Sequence, residues 1–317
     1  MSADSLIVRT VHAPRALVWK AWTDPQLLAQ WWGPHALASC ACQLDVRVGG
    51  THSVTMRMPD GVAYPIRGSY VEVQPMERLV MTMDCTEHPV AWHDMVRPNR
   101  TPGDNNAPGI MVQTVTFEDL GDSTRLSVRT RFEHAAIRDA MVKLGMEAGW
   151  SESLEKLDTL TAGQAGFATR RMLIRRTVKA PREMVWHAMT DPQQVVQWWG
   201  PTGFSTTIEA MDVRPGGVWK HTMHGPDGAD YPNQSTFRDV VPYERLVFQH
   251  GGSREGTKGA SFVATWTFDE VQGGTLVTIH GLFPSDAERD YVVATFGALE
   301  GGKQTLARLD DYLATRH

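Results

Sequence analysis

The sequence predicts an α+β chain built from the same domain twice, each copy a curved antiparallel sheet wrapped around a long C-terminal helix. Three observations carry this expectation. Trp31-Trp32-Gly33-Pro34 returns as Trp198-Trp199-Gly200-Pro201, and that offset of 167 holds from residue 13 to residue 80 with close to half of the positions identical. The middle of each copy alternates apolar and polar residues between turn signals spaced about ten residues apart, the pattern of a strand meander. The end of each copy returns to helical period. A repeat this long is a duplicated domain, because solenoid and propeller repeats run about 20–50 residues. Length agrees: at roughly 150 residues per domain, 317 residues make two domains the first expectation.

The elements follow in order. Each copy opens with a strand, over residues 7–12 and 174–179. Ala13-Pro14 and Ala180-Pro181 come next, and proline suits the start of a helix. Asp24-Pro25 and Asp191-Pro192 begin a second short helix that stops at Trp-Trp-Gly-Pro, where glycine can take a left-handed cap and proline bars continuation. Alternating segments follow, divided in the first copy by Gly49-Gly50, Pro59-Asp60-Gly61 and Pro75. The offset then falls from 167 to 151 at Thr124 and Thr275, so the first copy carries sixteen extra residues, placed in a loop at 85–109. Near the ends the offset is 152, pairing Gly145 with Gly297.

In the last helix of the second copy, Ser285 and Glu288 have capping-box spacing. Val292, Phe296, Leu299, Leu306, Leu309 and Leu313 form one stripe along it. Gly145 and Gly149, matched by Gly297 and Gly301, read as glycines inside this helix. Glycine there costs about 1 kcal/mol relative to alanine, so the pairs mark either a close approach of the sheet or room for a ligand. The domain limits are therefore 1–161 and 170–317, joined by a small-residue linker at 162–169.

Composition excludes several functions. A net charge of −5, with no basic excess in either half, argues against a general nucleic-acid binder. No run approaches the roughly 20 apolar residues of a membrane span, and the N-terminal segment lacks the apolar core of a secretion signal. Cys40, Cys42 and Cys85 are too few for a disulfide framework, which points to a reducing cytoplasm. Cys40 and Cys42 share a strand face but form no CxxC pattern, and they read as small apolar residues.

Five motifs occur in both copies: Ala13-Pro14 with Trp19; Thr23-Asp24-Pro25 with Trp31-Trp32-Gly33-Pro34; Asp45 with Arg47 and Gly49-Gly50; Pro59-Asp60-Gly61 with Tyr64-Pro65; and Glu77-Arg78-Leu79-Val80. They resemble the AHSA-type domains, homologues of the activator of a heat-shock chaperone ATPase, in the START-like or SRPBCC superfamily. That resemblance implies a helix-grip fold with a cavity between sheet and C-terminal helix. It also implies a function among ligand carriers, cyclase- or hydrolase-type enzymes, and chaperone cofactors.

Site candidates come from comparing the copies, since residues identical in both serve the shared fold first. By that criterion the paired tryptophans read as structural, and Arg78 and Arg245 as strand-end charges. In the second copy Trp219, His221 and Met223 fall on one strand face, and His224 falls on the other. The matching face of the first copy is His52, Val54 and Met56. The insertion reads either as a surface excursion or as a lid, with Trp92 then the apolar plug over the first cavity. His88, His93 and Asp94 are metal-capable but have no fourth clustered ligand. The ligand-binding set is thus His52, Met56, Trp92, Trp219, His221 and Met223, with no metal, no organic cofactor and no catalytic set expected. No Gly-x-Ser-x-Gly, P-loop or dinucleotide fingerprint occurs. The leading expectation is binding of a small, largely apolar molecule in one or both cavities, in the cytoplasm and away from membranes and nucleic acid. An enzyme using a cavity histidine, and a module that binds a chaperone or other protein, are the alternatives.

Overall fold

Proline sets the first corner of each domain. β1 (Asp4–Val11) and β8 (Arg171–Val178) end one step before an Ala-Pro, and Pro14 and Pro181 then cap α1 (Arg15–Thr23) and α6 (Arg182–Thr190). Both prolines stand just ahead of the first helical residue, where a missing N–H costs nothing. Asp24 caps α2 (Pro25–Trp31) by accepting from the N–H groups of Gln26 and Leu27 at 2.8 and 3.2 Å. Asp191 does the same for α7 (Pro192–Trp198), accepting from Gln193 at 2.9 Å. These short helices stop within Trp-Trp-Gly-Pro as expected, at the first tryptophan with the second as C-cap, followed by Gly33 at φ 88° and Gly200 at φ 110°.

The computed structural model describes residues 3–97, 101, 110–167 and 169–316, and the chain divides into two units, Met1–Ala165 and Gly166–His317. In the first unit the meander runs β2 (Ser39–Leu44), β3 (Thr51–Arg57), β4 (Ala63–Gln74), β5 (Arg78–Met83), β6 (Met111–Asp119) and β7 (Thr124–Arg131). β1 closes it against β7, giving a seven-stranded antiparallel sheet in the order β1-β7-β6-β5-β4-β3-β2. The second unit repeats this with β9 (Ser205–Met211), β10 (Val218–His224), β11 (Asp230–Val241), β12 (Arg245–Gly252), β13 (Ala260–Val271) and β14 (Gly274–Leu282), in the order β8-β14-β13-β12-β11-β10-β9. The described part of the insertion holds a short helix, α3 (Val90–Val96). Residues 98–100 and 102–109 of the expected loop lie outside the described residues.

The C-terminal helix differs from its expected form. It is two segments in each unit: α4 (Ala135–Lys143) and α5 (Met146–Gln164) in the first, α8 (Asp286–Phe296) and α9 (Ala298–Ala314) in the second. Gly145 and Gly297 are the break points, in left-handed conformation at φ 91° and 59°. They are caps and not interior glycines, because only glycine takes that conformation without a Cβ clash. The break also turns Leu299 out of the stripe, 37% exposed, while Leu306, Leu309 and Leu313 stay buried. Ser285 caps α8 and accepts from the Glu288 N–H at 3.2 Å. α5 runs to Gln164, so residues 162–164, assigned to the linker, are helical.

Matched bonds tie the first corner of each domain to the final helix and to the last strand of the meander. Asp158 of α5 accepts from the His12 N–H at 2.7 Å, and Asp310 of α9 accepts from the Lys179 N–H at 3.1 Å. Thr124 and Thr275 donate their hydroxyls to the carbonyls of Ala13 and Ala180, each at 2.8 Å. Separate apolar cores fill the two units, and among the described residues no helix is long and apolar enough to cross a membrane.

Candidate functional site

The two tryptophans of each Trp-Trp-Gly-Pro motif separate in role. Trp31 and Trp198, the last residues of α2 and α7, are buried and donate their indole N–H to the carbonyls of Ala21 and Ala188 at 2.9 and 3.0 Å. Trp32 and Trp199 are the C-caps, with extended backbone, and this turns their rings into a cavity between sheet and final helix. The structural reading thus holds fully for the first tryptophan of each pair, while the second also lines a cavity.

In the second domain the cavity measures about 220 Å³. Trp219, His221 and Met223 of β10 all line it, together with Trp199, Phe248 and Trp266. His224 points away and pairs with Asp230, as its alternation requires. His221 is buried and stacks on Trp219, with centroids 4.3 Å apart and planes 22° apart. The Trp199 indole N–H donates to His221 Nε2 at 3.2 Å. An indole nitrogen can only donate, so the neutral imidazole carries its proton on Nδ1. Among the described residues that Nδ1 has no hydrogen-bond partner. Burial, reinforced by nearby His250, pushes the His221 pKa down to about 3. His250 of β12 lines the same cavity, with Nδ1 3.2 Å from the Ser235 hydroxyl, and burial lowers its pKa to about 4. Sequence reasoning missed His250, although its alternation with Leu246 and Phe248 along β12 carries the signal.

The first domain holds a cavity of about 210 Å³ with other chemistry. Met56 and Trp92 line it, with Met83, Met111, Met141 and Met146. His52 does not: its ring turns to the neighbouring strands and its Nε2 lies 2.8 Å from the Thr82 carbonyl oxygen. Burial lowers the His52 pKa, partly countered by that carbonyl. His88 takes the polar place instead, held edge-to-face against Trp92 at 4.4 Å. Its pKa falls to about 4, chiefly through burial and then His93, against the opposing pull of Asp84 and the Pro65 carbonyl. Gln113 adds a buried Oε1 that has no partner among the described residues, its amide Nε2 lying 3.5 Å from the Thr130 hydroxyl. His93 is turned away to the Thr86 carbonyl at 3.1 Å. Among the described residues no three His, Cys, Asp or Glu side chains cluster as a metal site.

The final helix also anchors the loop beside each cavity. Arg308 Nη1 donates to the carbonyls of Gly200, Pro201 and Phe204 at 2.9, 2.9 and 3.0 Å. Its counterpart Lys156 reaches the Pro34 carbonyl at 3.5 Å.

Solved structures similar to this chain each correspond to about one of its halves. Protein Ms6760 from Mycobacterium smegmatis is 29% identical, covers 48% of this chain and 95% of its own, and superposes with a TM-score of 0.43. A Rhodobacter sphaeroides protein is 25% identical over 47% of this chain and 95% of its own, with a TM-score of 0.41. The AHSA1 protein from Silicibacter pomeroyi is 21% identical over 46% of this chain and 99% of its own, with a TM-score of 0.40. No curated protein matches the chain. The model of the family described as Activator of Hsp90 ATPase homolog 1-like protein matches twice, over residues 12–162 and 179–314, and the chain therefore belongs to that family, with one such domain in each half.

Proposed function

We propose that the protein binds a small, largely apolar, uncharged molecule, and that the second domain's cavity is its principal site. The observation that carries this reading is the aromatic cavity walled by two imidazoles that stay neutral at pH 7. Apolar walls with a few polar anchors are the usual form of a ligand site. His221, with an unpartnered Nδ1–H donor, supplies the anchor. A volume of about 220 Å³ is below the roughly 300–1,000 Å³ of drug-sized pockets, so the ligand is small. A general base works best with its pKa near the operating pH. Values of about 3 and about 4 for His221 and His250 favour hydrogen bonding over proton transfer.

The test is a native mass spectrometry and calorimetric screen of the full chain against neutral monocyclic and bicyclic apolar compounds, with their carboxylates as controls. Neutral compounds should bind, and Ala260→Phe, which places a ring in the cavity, should abolish binding without lowering the melting temperature. Carboxylates binding as well as their neutral parents, or Ala260→Phe binding like the wild type, would overturn the assignment.

A further inference from the structure

Cys40 and Cys42 lie two positions apart on β2, the edge strand of the first sheet, opposite Met56 and Val54 of β3. Both are half-buried free thiols, and their Sγ atoms are 3.8 Å apart. At the matched positions the second domain has Thr207 and Glu209, so the pair belongs to the first domain alone. Among the described residues β2 ends the sheet order, paired with β3, and rotation of the two side chains about χ1 changes the distance between their sulfurs. A disulfide there would span a single intervening residue and be strained, and strained disulfides are the readily reduced, labile ones.

We propose that Cys40 and Cys42 form a reversible redox modification site that closes to an intramolecular disulfide on reaction with a hydroperoxide. The Cys40 thiolate attacks the terminal peroxide oxygen; the O–O bond breaks, and the leaving oxygen takes a proton to depart as alcohol or water. Cys40 is then a sulfenic acid, oxidised by two electrons, and the hydroperoxide is reduced by two. The Cys42 sulfur attacks that sulfur, the S–O bond breaks, and the hydroxide leaves as water with the Cys42 proton. In sum, two thiols and a hydroperoxide give a disulfide, an alcohol or water, and a water.

The surroundings assign the order of attack. The Cys42 thiol's hydrogen bond lowers the Cys40 pKa, with a further contribution from the Lys156 ammonium, and these oppose the effect of burial. The same hydrogen bond raises the pKa of Cys42, making it the resolving partner. Cys85 is buried, with its pKa pushed up to about 12, and is an internal control.

The experiment treats the full chain with hydrogen peroxide and maps its peptides by mass spectrometry. The peptide containing both thiols should lose two hydrogens and regain them with dithiothreitol. Cys42→Ser should stop at a Cys40 sulfenic acid trapped by dimedone, while Cys40→Ser should leave Cys42 reduced. Lys156→Met should slow Cys40 labelling several-fold and Lys156→Arg should restore it. Sulfinic acid at Cys40 of the wild type without a disulfide, a disulfide joining two chains, or, in Cys42→Ser, equal dimedone labelling of Cys40 and Cys85 would each overturn the proposal.

Discussion

At matched positions the first domain has Val54, Met83, Val115 and Trp150 where the second has His221, His250, Trp266 and Gly302. Aromatic mass has moved from helix to sheet between the copies. In the first domain Trp150 of α5 stacks on Trp22 at 6.1 Å and meets Trp32 edge-to-face at 5.2 Å. In the second, Gly302 lets Ile174 close against the helix, and Trp219 and Trp266 of the sheet meet Trp199 instead, at 4.9 and 5.2 Å. The bonds that hold the scaffold did not move. Duplication has thus separated residues that build the domain from residues that line its cavity. A thioether-rich first cavity can adapt its shape, since methionine is unbranched and flexible. The rigid rings of the second favour fewer shapes.

The strongest test of this separation removes a shared scaffold residue. Trp31→Ala and Trp198→Ala should each cost about 3–5 kcal/mol, because a fully buried ring and its indole hydrogen bond go together. The two losses should be alike, read by calorimetry on the full chain with peptide-resolved hydrogen exchange to assign each to its domain. A near-neutral outcome in one domain would end the claim of equivalent scaffolds.

Acid should then separate the domains. His221 and His250 are neutral in the folded state with pKa values of about 3 and about 4, whereas the unfolded chain titrates them near 6.5. Below that value the unfolded state binds more protons, so stability falls as pH drops through 6.5 toward 4 and 3. At about pH 5 the loss is about 2 kcal/mol per histidine. His221→Phe should flatten the pH dependence of exchange protection in the second domain by one histidine's share. The first domain, with His52 and His88 also depressed, should keep its own dependence unchanged in that variant.

The duplication, the strand meander and the shared face on β10 were legible in the sequence, because a two-residue period and an ungapped repeat are local signals. Three things were not. The break at Gly145 and Gly297 looks the same in sequence as a glycine inside a helix, since the apolar stripe continues across it. His52 shares its face with Met56, yet its ring is tied to Thr82 of β5, thirty positions away in the chain. That partner is fixed by sheet pairing alone. His88 reaches the first cavity through an insertion that has no counterpart in the second copy, so comparing the copies could not place it.

A smaller difference should come from the loop anchors. Arg308→Ala removes one guanidinium from three carbonyls and should cost about 1–3 kcal/mol, as bonds to charged groups do. Lys156→Ala removes one long contact at 3.5 Å and should cost less than about 1 kcal/mol. Urea titration of each variant measures both, and equal losses would show that the second loop gains nothing from its extra bonds.

The smallest expected effect is also the most diagnostic of cavity shape. Gly149 of α5 and Gly301 of α9 occupy the same place in their domains, and both line a cavity. A Cβ at Gly149 would meet nothing within 4 Å, whereas one at Gly301 would lie 3.1 Å from Pro201 Cγ. Alanine is a better helix former than glycine by up to about 1 kcal/mol. Gly149→Ala should therefore raise the first domain's stability by most of that amount. Gly301→Ala should gain less or nothing, because the Pro201 ring must give way. If both substitutions stabilise equally, the second helix is not held close to its loop, and the Pro201 ring yields without cost. If Gly149→Ala gives no gain, the space beside that helix is filled by a neighbouring side chain, and the first cavity is smaller than its walls imply.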